Sequence, residues 1–345
     1  MYTYNIIDRY DLQLFAGSLN TNVTTSSGSG NDLSPEMKTY YSDYLIDNAV
    51  PKLVHDQFGQ KHPIPKNGGK IIEFRKYSPL PKLTTALTEG VTPDGQALNV
   101  STVTATVAQY GGYITLSDIL MLTAIDNNLV QATKLLGAQA GATLDTITRE
   151  VLNGGTNVIY SGGVTSRANL VGGAASGNCY LTVDDVKKAV RALKTQNAEK
   201  IGDSFVGIIH PDVAYDLTND PMWEKVKSYD PKDWYEGEIG RIAGVRFVET
   251  TEAKIWAKAG KNDSTAGQRA VYSTLILGDN AYGVTEIEGG GLEHIVKQLG
   301  SAGTADALNQ RATVGWKATK CAERLVEQFM VRIESTSTFN PDTNN

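Results

Sequence analysis

The sequence predicts an α+β fold, and three observations carry that prediction. Residues 117–153 place apolar side chains at steps of three and four, the spacing of a long helix with one buried stripe. Residues 101–107 and 313–321 alternate instead, the period of a strand with one packed face. Between residues 181 and 265, helical and strand patterns follow one another without regular βαβ alternation. With 345 residues, 41% hydrophobic and 20% charged, the chain can bury a substantial core. No run approaches the roughly 18 apolar residues of a membrane span, so no membrane partner is expected. The net charge of −6 comes without Lys/Arg clusters, which argues against sequence-specific DNA binding. Cys179 and Cys321 lie far apart with no CxxC or Cys/His company. They read as buried small apolar residues of a protein from a reducing cytoplasm, with neither a disulfide framework nor a zinc site.

Taken in order, the chain begins with DLQLFAG, which sets Leu12, Leu14 and Phe15 on a short leader. SLNTNVTTSSGSGND follows, and such a Ser/Thr/Asn/Gly run predicts a flexible link over 18–32. Asp8, Arg9 and Asp11 interrupt any export signal, which leaves a docking arm as the reading of the leader. Residues 33–58 predict a helix, opened by Ser34-Pro35-Glu36 and broken near Pro51. From Lys61 to Thr115, prolines and the KNGGK and Pro93-Asp94-Gly95 turns separate short alternating runs. Val103, Ala105 and Val107 take one face there, and Thr102, Thr104 and Thr106 the other. Together with EFRKY around Phe74 they predict a long two-stranded excursion. Such a hairpin has little apolar surface for its own chain to cover, so it should lie over a neighbour.

The helix over 117–153 is opened by Ser117 and Asp118 and resumes after Asp126-Asn127, with Leu129, Leu136, Ala140, Leu144, Ile147 and Val151 on one stripe. Gly137 and Gly141 lie inside it, which predicts close backbone packing. A Gly/Ser-rich loop covers 155–178. Thr182, with Asp185 three residues on, then caps a helix whose apolar face is Val183, Val186, Val190 and Leu193. Phe205 to Ile209 read as a strand stopped by His210-Pro211, GRIAGVRFVET as a glycine-hinged strand, and AVYSTLILGDNAYGVTEIEG as a strand with a turn. Thr313 to Cys321 and Phe329 to Ser335 are the last two strands, and no internal repeat of fixed period is present.

Catalytic signatures are missing. The chain contains no GxxxxGK[ST], HExxH, GxSxG or EF-hand pattern. His55, His62, His210 and His294 are the only histidines, with no two at metal-ligand spacing, and His210 reads as a turn residue before proline. Asp184-Asp185 suits a helix N-terminus, and Glu286 with Glu288 an exposed strand face. Neither a cofactor nor a catalytic residue is predicted.

DLQLFAG resembles the leader of tailed-phage major capsid proteins. IIHPDVAYDL, YEGEIGRIAGVRFVET and DALNQRATVGWKA, in this order and at these distances, resemble the tailed-bacteriophage major capsid proteins grouped with that of coliphage N-four, a family with the Hong Kong 97-like (HK97-like) fold. The likeness runs from about Pro35 to Ser335. It implies an N-terminal arm with a first helix at 1–58, an extended loop (a β-hairpin excursion) at 59–115, and a peripheral domain with a spine helix at 116–180. An axial domain at 181–265 follows, then return strands of the peripheral domain and a final axial strand at 266–345. The implied function is self-assembly into hexamers and pentamers that form an icosahedral head around double-stranded DNA, held non-specifically, without enzymatic activity. The implied location is the virion, after synthesis in the bacterial host cytoplasm. Leu12, Leu14 and Phe15 would be the arm's inter-subunit contacts. Because only a short arm precedes the extended loop, a scaffolding protein is expected to be separate; a portal and a decoration protein are further implied partners. Some relatives lock the shell with a Lys–Asn isopeptide bond; Lys66, Lys70, Lys76 and Lys82 are present, but no motif selects one. A shell protein of a non-viral compartment, another virion structural protein, and a hydrolase or transferase with an unrecognised site stay open as alternatives.

Overall fold

The structure is a computed structural model and describes residues 21–22, 54–77, 80–92, 94–124, 128–173, 177–223, 240–263, 267–285, 287, 291–301 and 306–345. Its strands and helices in chain order are β1 (Thr21–Asn22), β2 (Gln60–Lys61), β3 (Ile71–Tyr77), β4 (Val100–Thr106), β5 (Ala108–Ser117), α1 (Asp118–Thr123), α2 (Asn128–Asn153) and β6 (Val158–Tyr160). They continue with α3 (Val183–Thr195), β7 (Phe205–Ile209), α4 (Pro211–Thr218), β8 (Arg241–Ile242), β9 (Val245–Glu249), β10 (Ile255–Trp256), β11 (Asn262–Asp263) and β12 (Gly267–Gln268). The last are β13 (Val271–Leu277), β14 (Tyr282–Thr285), β15 (Glu293–Lys297), β16 (Arg311–Arg324) and β17 (Met330–Ser335). The leader with Leu12, Leu14 and Phe15, and the expected helix over 33–58 apart from the turn at 54–58, lie outside the described residues.

The chain divides into two compact units. One comprises residues 1–48, 111–140 and 292–317, and the other 49–110, 141–291 and 318–345. In the first, β15 pairs antiparallel with β16 from Glu293↔Lys317 to Lys297↔Thr313, and Thr21–Asn22 lies parallel to Thr115–Leu116 of β5. A side chain at Gly111 would meet the Trp316 carbonyl at 2.6 Å, so glycine is needed there for the backbones of β5 and β16 to lie this close. Ser117 caps α1 as expected, its hydroxyl accepting from the Leu120 N–H.

The second unit is built on a seven-stranded sheet in the order β6-β17-β13-β7-β9-β8, with β10 also paired to β13. Phe205–Ile209 and Val271–Leu277 are buried along their whole length because the sheet is covered on both faces. On one face lie Val183, Val186, Ala189, Val190 and Leu193 of α3 with Val213, Ala214 and Leu217 of α4, packed against Phe205, Ile209, Tyr272, Ile276, Val331 and Ile333. The other face carries Leu152, Ile208, Leu275, Leu277, Tyr282 and Met330. Thr182 caps α3, accepting from the Asp185 N–H and donating to its carboxylate, as the sequence suggested.

Four expectations need correction. The segment GRIAGVRFVET forms a tight hairpin, β8–β9, because Ala243 and Gly244 both take positive φ in a two-residue turn. Gly137 does not mark close packing, for a Cβ there would meet nothing within 4 Å. Cys179 is buried, whereas Cys321 is half-buried, on the face of β16 opposite Lys320 and Ala322. The buried stripe of α2 begins with Ala132, Leu136 and Ala140 and then turns polar, through Asp145, Thr148, Arg149 and Asn153, with Leu152 among them. Leu144, Ile147 and Val151 are only half-buried, because partners for those polar groups occupy the better-covered side.

Candidate inter-subunit surfaces

The polar face of α2 holds the start of the extended segment. His55 is fully buried; its N–H and its ring Nδ1 meet the two oxygens of Asp145 at 2.8 and 2.7 Å. Asp56 accepts from Thr148 and Lys320, and the Lys320 ammonium also donates to the Leu144 carbonyl at 2.8 Å. The Tyr282 hydroxyl donates to the His55 carbonyl, and burial raises its pKa well above the usual phenol value. Further along the helix, Arg149 donates to the Glu252 carbonyl at 2.9 Å and to Glu150 at 2.9 Å. Ser273 donates to Asn153 at 2.5 Å. Pairing inside a low-dielectric core makes such a network costly to break, which anchors what it holds.

From that anchor rises β3–β4, a separate two-stranded sheet in register from Ile71↔Thr106 to Tyr77↔Val100. Val103, Ala105 and Val107 point inward and Thr102, Thr104 and Thr106 outward, the alternation legible in the sequence. Beyond it, residues 80–92 and 94–99 form no regular strand or helix and turn at Glu89-Gly90. Leu83 is 80% exposed and Leu87 75%, and Ile71, Tyr77, Leu80, Val91 and Leu98 are exposed as well. An isolated hairpin is marginal in water, and several exposed leucines in its connection mark a surface suited to a partner. At its root a cleft of about 450 Å³ is lined by His62, Phe74, Val103, Asn280 and Leu325, with Arg75 and Lys76 at its margin. Further exposed apolar side chains are Ile119 and Leu122 on α1 and Val130 and Leu135 near the start of α2.

The remaining histidines have local roles. His210 caps α4, its Nδ1 accepting from the Asp212 N–H at 3.2 Å, and its ring lies 5.2 Å from that of Tyr272. Burial lowers its pKa. His62 bonds to Gln60 and meets Phe74 edge-on, while His294 is exposed on β15. Among the described residues no cluster of three His, Cys, Asp or Glu side chains could hold a metal, and no helix is long and apolar enough to cross a membrane. Sequence reasoning missed the polar framework entirely, since nothing local to Asp145 or Lys320 announces partners 90 and 264 residues away.

A search of curated protein sequences found no match. Solved structures do match: the capsid of cyanophage P-SCSP1u with a TM-score of 0.64 at 15% identity, covering 91% of this chain and 98% of that one. The capsid of Ralstonia phage GP4 gives 0.64 at 14% identity, covering 93% and 100%. That of cyanophage Pam1 gives 0.61 at 15%, covering 86% and 96%. This fold is thus shared over nearly the whole chain, in agreement with the HK97-like expectation. The family model described as phage capsid protein matches residues 100–319, well over half of the sequence, and the chain therefore belongs to the phage capsid protein family.

Proposed function

We propose that this capsid protein builds the icosahedral head from hexamers and pentamers of itself, with the β3–β4 hairpin and its extension over 80–99 as the main inter-subunit strap. The observation that carries this reading is the set of exposed leucines in the connection of a hairpin that joins no larger sheet among the described residues. The arm is residues 1–58, with Leu12, Leu14 and Phe15 docking on an adjacent subunit, and the extended loop is 59–115. The peripheral domain takes 116–180 with α2 as spine helix. The axial domain takes 181–265, joined in its sheet by β6, β13 and β17; the other strands of 266–345 return to the peripheral domain. The protein acts structurally and not as a catalyst. Its further partners are a separate scaffolding protein, a portal, a decoration protein and the packaged double-stranded DNA, which a net charge of −6 leaves free to move. It is made in the host cytoplasm and ends in the virion.

Light scattering and negative-stain imaging of the purified protein, alone and co-expressed with its scaffolding protein, test the assembly. Closed shells or hexamer arrays are expected; monomers under both conditions overturn the reading. Leu83→Asp with Leu87→Asp should leave the subunit's unfolding free energy in urea denaturation within about 0.5 kcal/mol of the parent, as befits exposed positions. The same pair should abolish shells. Normal shells from that variant would remove the hairpin from the interface. Deleting residues 2–16 should give a folded subunit whose shells are fewer or fall apart sooner; unchanged assembly would refute the arm's role.

A further inference from the structure

Among the described residues β10 pairs with one strand, β13. Ile255 and Trp256 face Tyr272 and Val271 of β13, so the backbone groups of residues 253, 255 and 257 point away from the sheet. Asparagine side chains meet them there. Asn345 Oδ1 accepts from the Ile255 N–H at 2.8 Å, and its Nδ2 donates to the carbonyls of Ala253 at 2.6 Å and Thr251 at 3.1 Å. Asn344 Oδ1 accepts from the Ala257 N–H at 2.6 Å. A carboxamide offers the donor and the acceptor of a peptide unit, so Asn345 replaces one residue of an added strand.

The segment carrying these groups is also held at its start. Thr338 gives its N–H and hydroxyl to Asp216, Phe339 packs edge-on against Tyr215 at 5.6 Å, and Asn340 Oδ1 accepts from the Ala270 N–H at 2.7 Å. Residues 337–345 are not themselves a strand. That difference matters, because a strand laid on β10 would present a fresh row of free donors and acceptors on its outer side. A side-chain amide satisfies the edge and ends the ladder.

We propose that residues 337–345 are an edge guard, which closes the free side of β10 to strand pairing by a second copy of the chain. Open strand edges template such pairing, and a protein that must gather in many copies has most to lose from contacts that do not close into a shell. Asn344→Ala with Asn345→Ala in the full chain tests this. Amide exchange at Ile255 and Ala257 should accelerate roughly tenfold or more. Loss of protein into amorphous, non-shell aggregate should rise about twofold or more, with the circular dichroism of the soluble fraction unchanged. Asn345→Asp keeps the acceptor and should leave Ile255 protected, which retains a readout if the double variant does not fold. Unchanged exchange overturns the proposal, and so does faster exchange without added aggregate. A parent protein that forms no shells, yet shows these differences, would refute the assembly reading and leave the guard standing.

Discussion

Glu334 is fully buried between two arginines. Arg167 grips it with two bonds of 2.7 Å while lying over the Trp256 ring at 3.7 Å, and Arg332 adds a bond of 2.9 Å. The Glu334 bonds hold the Arg167 pKa above its ordinary value, whereas burial lowers that of Arg332. Replacing Glu334 with Gln keeps the shape and removes the anion, which should cost about 3–5 kcal/mol in urea denaturation; a loss under about 1 kcal/mol would show that the arginines find other partners. Gly137 is the opposite case. It sits in α2 with open space where a side chain would go, so Gly137→Ala should stabilise the isolated subunit by about 0.5–1 kcal/mol. If that stabilised subunit then assembles poorly, a neighbour's backbone approaches this face, and the glycine is explained.

Among the helices and strands, local signals were read well wherever local physics decides. Thr182 with Asp185, Ser117 before α1 and Pro211 at the start of α4 act as their types suggest. Thr182→Ala should cost about 1 kcal/mol by thermal unfolding, since it removes the cap of a helix that lies on the core; no measurable loss would mean that packing alone holds α3. The hairpin β3–β4 was legible for the same reason, as alternation over 101–107 is visible without knowledge of the partner strand. What failed was non-local. The polar stripe of α2 looks unfavourable until His55, Asp56, Lys320 and Ser273 are brought to it, and the β8–β9 hairpin needs a left-handed Ala243 that its residue type does not advertise. The exposed leucines of 80–98 look like ordinary loop composition in a sequence, and only the fold reveals that nothing in the described chain covers them.

The titratable groups act together on the stability of the subunit. Burial favours neutral His210 in the folded state, so its contribution is full above the ordinary value of 6.5 and is lost as pH falls through the lowered one. Glu327 is held ionised by the N–H and hydroxyl of Thr156; for Glu150 the bonds to Lys254 and Arg149 outweigh the effect of burial. Both carboxylates contribute above the ordinary 4.5 and lose that contribution as pH falls through their lowered values. The urea midpoint should therefore fall in two stages on acidification, and Glu327→Gln should flatten the lower one; a midpoint that rises between pH 7 and pH 4 would contradict these assignments. The strand order of the large sheet has a further consequence. Its second strand, β17, follows every other strand of that sheet in sequence, yet it lies between β6 and β13 with partners on both sides. A ribosome adding about 5–20 residues per second delivers every other strand first and leaves a gap in the middle of the sheet. Nascent chains cannot close their core until β17 emerges, and prematurely terminated products that lack it never can. Chains truncated before β17 should therefore be missing from assembled shells, because the strand that joins β6 to β13 is the one they lack.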